Sequence, residues 1–311
     1  MRGLQPLNLS GEGLNGQALS EAQCDYLDFY GLDFSSDFPL ASYHLGSIES
    51  GTDQLAVQLW CQPGATSTLL LVHGYFDHVG LFGHLVRFGL GRGSNVIAFD
   101  LPGHGLSSGE SAMIEDFSQY TQSIGDVLAA TASLPGSRHV IAQSTGAAAV
   151  MDYLTVNGPQ PFQGIVLLAP LVRPLGWWKT RLAHVAFKRF VDFVPRGFVE
   201  NSGDKAFLKF LRNDPLQPRR IPLGWIAALR RWIPRFLRRA PVPCNLLVIQ
   251  GDRDRTVDAA YNMKQVRRLF PGARIEMIAG ARHHLANETA AIRSNYLRRV
   301  ESYLRSIEGS Q

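Results

Sequence analysis

Residues 139–150 read HVIAQSTGAAAV, and this stretch decides the fold. An apolar run leads directly into Ser144, and a run of small residues that favours a helix follows it. A serine between a buried strand and a helix is typical of a nucleophile elbow, a sharp turn that exposes the serine oxygen above a sheet. The turn needs small residues two positions to either side of the serine. They are Ala142 and Gly146 here, whereas the usual pattern has glycine at both positions.

Apolar runs alternate with helical stretches on both sides of the elbow. Runs typical of strands buried on both faces cover 68–72, 95–99, 139–142, 165–168, 245–249 and 274–278. Two more strand-like runs, 41–49 and 54–60, precede them, and a short helical stretch near 20–29 follows an irregular start. Helical periodicity covers 81–90, 114–134, 147–157, 258–270 and 288–307. This order predicts an α/β fold, with a mostly parallel sheet and helices on both faces.

One connection is far longer than a crossover needs. About seventy residues separate the run that ends near residue 169 from the run that begins at 245. We therefore predict a core of residues 1–170 and 242–311 and an inserted helical cap, or lid, of residues 171–241, called the inserted segment below. Long insertions at this end of a sheet usually cover a site. A long connection without functional meaning is the alternative.

The loop after the last apolar run offers a general base. It reads AGARHHL over residues 279–285 and contains His283 and His284. A loop at that position reaches the carboxyl edge of the sheet beside the elbow, where sites form in such folds. A serine nucleophile needs such a base within hydrogen-bond reach. We predict His283 as the base and keep His284 as the competing candidate.

The loop after the run 245–249 offers the acid that would orient the base. It reads GDRDRTV and contains Asp252 and Asp254. We predict Asp254 as the acid and a structural role in the turn for Asp252. The resulting chain order, serine, aspartate and then histidine, is the order expected of an α/β-hydrolase.

Two backbone N–H groups are candidates for stabilising an oxyanion. One belongs to Thr145, at the start of the helix after the elbow. The other belongs to Tyr75, in the loop HGYFDH of residues 73–78, where Gly74 lets the backbone bend. In this loop His73 is predicted to have a structural role, hydrogen-bonded to the backbone.

Taken together, these motifs resemble a known enzyme group. The chain is similar to the serine α/β-hydrolases of the monoacylglycerol lipase/lysophospholipase group, which is serine aminopeptidase S33-like. The resemblance covers roughly residues 40–305. Its motifs are LLLVHGYFDHVG (69–80), AFDLPGHGLSSG (98–109), AQSTGA (142–147), and GDRDRTV (251–257) with GARHHL (280–285). A shorter motif, NDPL at residues 213–216, is similar to one that this group carries in its cap.

The resemblance implies an α/β-hydrolase fold and a role for each candidate residue. Ser144 corresponds to the nucleophile, Asp254 to the acid, His283 to the base, and Tyr75 and Thr145 to the oxyanion donors. The implied substrate is the carboxylic ester of a lipid-like molecule, a monoacylglycerol or a lysophospholipid, with no metal or cofactor. The departures from the pattern are the alanine before the elbow and the aromatic residue after the HG pair, which would narrow the acyl entrance.

Other activities remain open on the same fold. Thioester hydrolysis, acyl transfer and release of N-terminal amino acids use the same serine chemistry. An aminopeptidase should offer carboxylates to the substrate amine, and the inserted segment has only four acidic residues. Epoxide hydrolases and dehalogenases are disfavoured because they need an aspartate at the elbow. A non-catalytic, membrane-associated scaffold is the alternative from a different class.

Two other groups of polar residues contain side chains of the types found in active or metal sites. Asp100, His104 and Ser107 resemble a triad in type but crowd into one turn, which the resemblance treats as structural. The other group matches no metal-ligand spacing. It contains His73, Asp77, His78 and His84.

Composition bounds the class of protein. The chain has 311 residues, and its ordinary composition excludes collagen-like, coiled-coil and disordered proteins. Its three cysteines lie far apart, which supports neither a disulfide framework nor a structural zinc site. The start does not resemble a signal peptide, and no run approaches the ~18 apolar residues of a membrane span. We expect a cytoplasmic protein, and peripheral contact with a membrane stays open.

The net charge of +5 conceals an uneven distribution. Residues 171–240 contain sixteen basic and four acidic residues, a net of +12, so the rest carries a net of −7. Within them, 225–237 has apolar residues at helical spacing and arginines on the other side, with Pro234 predicted to divide it into two pieces. Such a segment either meets an anionic membrane or turns its apolar side to the acyl pocket. No nucleic-acid-binding motif accompanies the charge.

Overall fold

A central eight-stranded sheet dominates the computed structural model, which describes residues 4–7, 19–187 and 189–309. The predicted irregular N-terminal start lies mostly outside these residues. The strands are β1 (Ser42–Ser50), β2 (Asp53–Cys61), β3 (Ser67–Val72), β4 (Asn95–Phe99), β5 (Ser137–Gln143), β6 (Phe162–Leu168), β7 (Phe193–Pro195), β8 (Arg220–Pro222), β9 (Asn245–Gly251) and β10 (Gly272–Ile278). The sheet order is β1-β2-β4-β3-β5-β6-β9-β10, and β7 pairs with β8 separately.

The sheet is mostly parallel, as predicted. Only β1 with β2 and β2 with β4 pair antiparallel within it, and the remaining neighbours run parallel. All six apolar runs of the sequence fall in the parallel strands β3, β4, β5, β6, β9 and β10. Because the carboxyl ends of parallel strands meet at one edge, the loops that follow β3, β5, β9 and β10 converge there.

Helices cover both faces of the sheet. They are α1 (Glu21–Tyr30), α2 (Gly83–Gly91), α3 (Ser118–Ala130), α4 (Thr145–Asn157), α5 (Trp177–Phe187), α6 (Lys205–Asn213), α7 (Leu223–Leu237), α8 (Ala259–Leu269) and α9 (Ala290–Glu308). Two apolar clusters form the core. One contains side chains of α3, α4, α7 and α8, and the other contains those of α1, α2 and α9. Successive residues of β5 alternate between them, Val140 and Ala142 in the first and Ile141 in the second, as the two-residue period of a strand requires.

The inserted segment contains α5, β7, α6, β8 and α7, in that order. Its last element corrects one prediction, because α7 is a single helix of fifteen residues and Pro234 lies inside it. The proline sits in the last turn, so it removes a single bond, to the Arg230 carbonyl four residues earlier, and leaves the bonds of the first turns in place. Burial of Trp232, Ile233 and Phe236 on either side of the proline stabilises the continuous helix.

The apolar face of α7 is buried inside the protein. Trp232 stacks between Phe117 and Phe236, with ring centroids 4.6 Å from each. On the polar side, Arg235 forms an ion pair with Asp116 at 2.8 Å. The basic aromatic stretch that the sequence singled out is therefore a packed helix, and it does not present its apolar face to the surface.

A buried hydrogen-bonded cluster joins the inserted segment to the core. The Asp214 carboxylate, from the NDPL motif, accepts hydrogen bonds from His78 Nε2 at 2.8 Å and from the Tyr30 hydroxyl at 2.6 Å. Burial favours the neutral acid, but the bonds to His78 and Tyr30 outweigh it and hold the pKa of Asp214 below its usual value. Asp214 therefore anchors α6 to the loop after β3 and to α1.

None of the helices within the described parts of the chain is long and apolar enough to cross a membrane.

Candidate active site

Ser144 occupies a strained turn between β5 and α4. Its backbone has φ 53° and ψ −111°, which is unusual for a residue with a side chain. Its N–H donates to Leu168 O at 2.8 Å, and its carbonyl accepts from Leu171 N–H at 3.1 Å. The end of β6 thus holds the turn from both sides, and such strain persists only where the surroundings over-determine it.

The small residues around the elbow have a steric cause. A Cβ at Gly146 would lie 2.3 Å from His73 O and 2.5 Å from Val72 O, because α4 starts directly against the end of β3. Ala142, where glycine is usual, is fully buried in β5 between its partners in β3 and β6. One methyl group is accommodated at that position, so the departure from the pattern leaves the elbow intact.

The structure brings together the serine, histidine and aspartate predicted from the sequence. His283 Nε2 lies 2.9 Å from Ser144 Oγ, and His283 Nδ1 lies 2.7 Å from Asp254 Oδ2. The residues come from the ends of β5, β10 and β9. Because Asp254 accepts from Nδ1–H, Nε2 is free to accept the serine proton. This is the geometry of a nucleophile with an oriented general base.

Asp254 is held as a carboxylate. Burial alone would raise its pKa, but the adjacent His283 and the hydrogen bonds it accepts lower the pKa below 3.8. Those bonds come from Thr256 N–H at 2.8 Å, Val257 N–H at 3.2 Å and Gln250 Nε2 at 3.0 Å. A negative charge fixed at this position is suited to stabilising a protonated His283 imidazole.

The competing candidates lie elsewhere. Asp252 is exposed, and its carboxylate accepts from Gly280 N–H at 2.8 Å. This bond joins the loop after β9 to the loop after β10. His284 turns away from the serine and donates through Nε2 to Asp77 at 3.1 Å.

Asp77 is a buried carboxylate whose role was not predicted. It accepts from His284, next to His283, and from Gln143 Nε2 at 3.4 Å, next to Ser144. Gln143 also accepts from Ala286 N–H at 2.9 Å. Burial opposes ionisation, but His284, His73 and Arg196 lower the pKa of Asp77 strongly. The Asp77 carboxylate therefore links the elbow to the loop after β10 through hydrogen bonds.

The predicted oxyanion donors flank the serine. Thr145 is the first residue of α4, so its N–H has no partner within the helix. Gly74, which precedes Tyr75, packs against the elbow, since a Cβ there would lie 3.3 Å from Ser144 Cβ. Within the described residues, neither the Tyr75 nor the Thr145 N–H donates to another protein group. Both groups are available to a ligand at the serine.

The polar groups of the turn after β4 have structural partners. The Asp100 carboxylate accepts from Val79 N–H at 2.7 Å and from Leu106 N–H at 2.8 Å. His104 Nδ1 donates to Pro102 O at 2.9 Å, and burial lowers the pKa of His104 to about 4. His73 bonds the backbone on both sides, as predicted, donating to Gly74 O and accepting from Leu101 N–H. In the described ranges, no three of the chain's histidine, cysteine and acidic residues form a cluster that could hold a metal ion.

A polar cleft of about 610 Å³ borders the base. Its walls are the loop after β9, the loop after β10 and residues 199–201 of the inserted segment. Arg282 and Glu200 form an ion pair at 3.2 Å in its lining. His283 is thus reached from solvent between the core and the inserted segment.

The sequence matches a described protein family. The profile of the serine aminopeptidase S33 family (Hydrolase_4) matches residues 64–290, which contain the elbow and both flanking loops. That range is more than half of the chain.

Known proteins of this kind are similar over most of their length. The monoacylglycerol lipase of Mycolicibacterium smegmatis is 29% identical over 236 residues, covering 71% of this chain and 82% of the relative. The monoglyceride lipase of Mus musculus is 26% identical over 269 residues, covering 80% of this chain and 86% of the relative. Among solved structures, a soluble variant of monoglyceride lipase from Saccharomyces cerevisiae, in complex with a substrate analog, superposes with a TM-score of 0.72. It is 17% identical and covers 85% of this chain and 95% of its own, which supports the fold.

Proposed function

The chain belongs to the serine aminopeptidase S33 family of α/β-hydrolases, and from this membership we propose that it is a serine hydrolase that cleaves the carboxylic ester of a lipid-like substrate. The observation that carries the proposal is the hydrogen-bonded relay of 2.9 Å and 2.7 Å from Ser144 through His283 to Asp254.

The reaction follows from this geometry. Ser144 Oγ attacks the acyl carbonyl while His283 Nε2 takes its proton, and Asp254 stabilises the imidazolium. The N–H groups of Tyr75 and Thr145 donate to the developing oxyanion. His283 then protonates the departing alcohol, which leaves an acyl ester on Ser144. Water, activated by the same histidine, releases the acid and restores the serine.

The proposed substrate is a monoacylglycerol or a lysophospholipid. Monoacylglycerol lipases and a probable lysophospholipase L2 of Haemophilus influenzae, 24% identical, support this class. Three of the four acids of the inserted segment already have partners, which argues against an aminopeptidase, and the fourth is the exposed Asp192. Asp204 caps α6, Asp214 is bound to His78 and Tyr30, and Glu200 is paired with Arg282.

Substrate profiling tests this proposal. We expect kcat/KM for long-chain p-nitrophenyl esters to exceed that for the acetate ester at least about tenfold, ~1.4 kcal/mol of apolar binding. We expect the protein to hydrolyse monoacylglycerol and lysophosphatidylcholine as well. A fluorophosphonate probe should label Ser144, as located by peptide mapping. Faster cleavage of acyl-CoA thioesters or of amino-acid p-nitroanilides would assign the alternative chemistry, and a scaffold would not be labelled.

We also propose that the inserted segment contacts an anionic membrane, through α5 and the residues on either side of it rather than through α7. Among the described residues, eight of the twelve exposed large apolar side chains lie between residues 175 and 199. We call them the α5 surface: Leu175, Trp178, Leu182, Val185, Phe190, Val191, Phe193 and Val199. Exposed Lys179, Arg181 and Arg189 lie among them in the chain. Apolar side chains with interspersed basic ones are typical of surfaces that rest on acidic lipid.

Vesicle sedimentation tests the α5 surface. We expect the protein to bind phosphatidylglycerol vesicles, with less binding as salt screens the basic residues. Replacing Trp178 and Phe190 by serine should abolish binding, whereas Leu40→Ser should not, although Leu40 is 77% exposed. Equal binding of phosphatidylcholine vesicles, or dimerisation lost with the same two substitutions, would contradict the proposal.

A further inference from the structure

The loop that carries the Tyr75 N–H has a strained backbone. Phe76, the next residue, has φ 70°, in the left-handed region that side chains disfavour. Gly74 is packed against Ser144, so the loop has no freedom on that side. The direction of the Tyr75 N–H therefore depends on what holds the Tyr75 and Phe76 side chains on the other side.

Trp225 of α7 holds the first of these rings. Its indole stacks on the Tyr75 ring with centroids 3.8 Å apart and an interplanar angle of 15°. The indole is itself fixed, since Nε1 donates to the Tyr120 hydroxyl at 3.2 Å. At its far end, the Tyr75 hydroxyl donates to Ala112 O at 2.9 Å. The ring is therefore fixed both by its face and by its polar end.

Arg196, which follows β7, holds the second ring. Its guanidinium lies 3.9 Å from the Phe76 ring centroid, well within cation–π range. The same group donates to Gln217 Oε1 at 2.6 Å and to Pro218 O at 3.1 Å, which fixes its position. Burial lowers the pKa of Arg196 to about 10, so it stays charged at neutral pH. The rings of Tyr75 and Phe76 lie 4.0 Å apart, and the two contacts reinforce each other.

We propose that Arg196 and Trp225 are positioning residues that hold the Tyr75–Phe76 backbone so that the Tyr75 N–H points at the oxyanion. The inserted segment thereby completes the oxyanion hole, in addition to covering the site. This inference rests on the proposed ester hydrolysis. It concerns only the donor geometry, because the hydrogen bonds and ring contacts described for these two side chains involve neither Ser144 nor His283.

A comparison of oxo and thiono esters isolates this role. Sulfur is a poorer hydrogen-bond acceptor than oxygen, so the ratio of oxoester to thionoester rates reports how well the oxyanion donors are aimed. Removing a donor of this kind lowers kcat by about 10²–10³-fold in other hydrolases. We expect Arg196→Met and Trp225→Leu to lower kcat on the oxoester about ten- to hundredfold, with a smaller change in KM. The oxo/thiono ratio should fall in parallel.

The controls separate positioning from general damage. Arg220→Met removes a guanidinium that lies 4.0 Å from the Phe193 ring, a cation–π contact of the same kind that involves neither Tyr75 nor Phe76, so both rates should stay near wild type. Arg196→Lys keeps the charge without the planar group, and it should give an intermediate ratio even if Trp225→Leu fails to fold. A wild-type ratio in Arg196→Met and Arg196→Lys would overturn the inference while the wild-type enzyme still hydrolyses esters. Failure of the wild-type enzyme on every ester would instead refute the proposed function.

Discussion

Replacement of Ser144 by alanine should lower kcat for a p-nitrophenyl acyl ester by about 10⁵-fold or more, the scale seen when the nucleophile of a triad is removed. The expectation rests on the 2.9 Å contact with His283, because no other hydroxyl lies within hydrogen-bond distance of Nε2 in the described structure. The measurement is the initial rate under saturating substrate. Fluorophosphonate labelling should disappear in the same variant.

Stability provides the check on this result. The Ser144→Ala variant should keep the unfolding temperature of the wild type, since both side chains are small and the strained backbone is unchanged. Ser118→Ala removes the hydroxyl of an exposed serine at the start of α3 and should keep full activity. If Ser144→Ala were to retain the wild-type rate, the proposed nucleophile would be wrong.

Replacement of Asp254 by asparagine should lower kcat about 10⁴-fold at neutral pH. The amide is nearly the same size, so the bonds from Thr256 and Val257 to its oxygen can persist. The negative charge is lost, however, and an amide NH₂ group facing His283 Nδ1 favours the tautomer whose Nε2 already carries a proton. The base would then be unable to accept the proton of the serine.

Asp252→Asn is the matched control for this variant. Asp252 lies two residues earlier in the same loop but bonds to Gly280 N–H, so its amide should preserve activity. A pH–rate profile of the wild type, Asp254→Asn and Asp252→Asn distinguishes loss of the general base from loss of folding. If Asp252→Asn were the inactive variant and Asp254→Asn the active one, the acid would have been assigned to the wrong residue.

Much of the fold was predictable because its strands are buried on both faces. The runs 68–72 and 245–249 are apolar at nearly every position, which only a strand inside a covered parallel sheet requires. The course of α7 was not predictable in the same way. Pro234 argues locally for a break, and the packing of Trp232 against Phe117, a residue 115 positions earlier, decides against it.

The relay residues were predictable because each lies in a short motif directly after a strand. Asp77 lies in such a motif as well, but its role depends on partners 66 and 207 residues away. Arg196 has no local signal, since one arginine among the many of the inserted segment looks like any other until Phe76 is placed beneath it. Contacts of this kind are created by tertiary packing, and a single sequence does not encode them in any local pattern.

The burial of α7 also determines which parts of the inserted segment could be exchanged without disturbing the sheet. The fifteen residues of α7 span about 22 Å, and the seven residues of β9 span ~23 Å. The helix is therefore long enough to return the chain along the sheet, from the end of β6 to the start of β9. We propose that α7, the last element of the inserted segment, is the crossover helix between these neighbours, and that residues 169–222 are the part of the connection added to it. An engineered exchange of residues 169–222 would therefore leave α7 with the sheet, and it would have to keep Arg196 over the Phe76 ring and Asp214 against His78 and Tyr30.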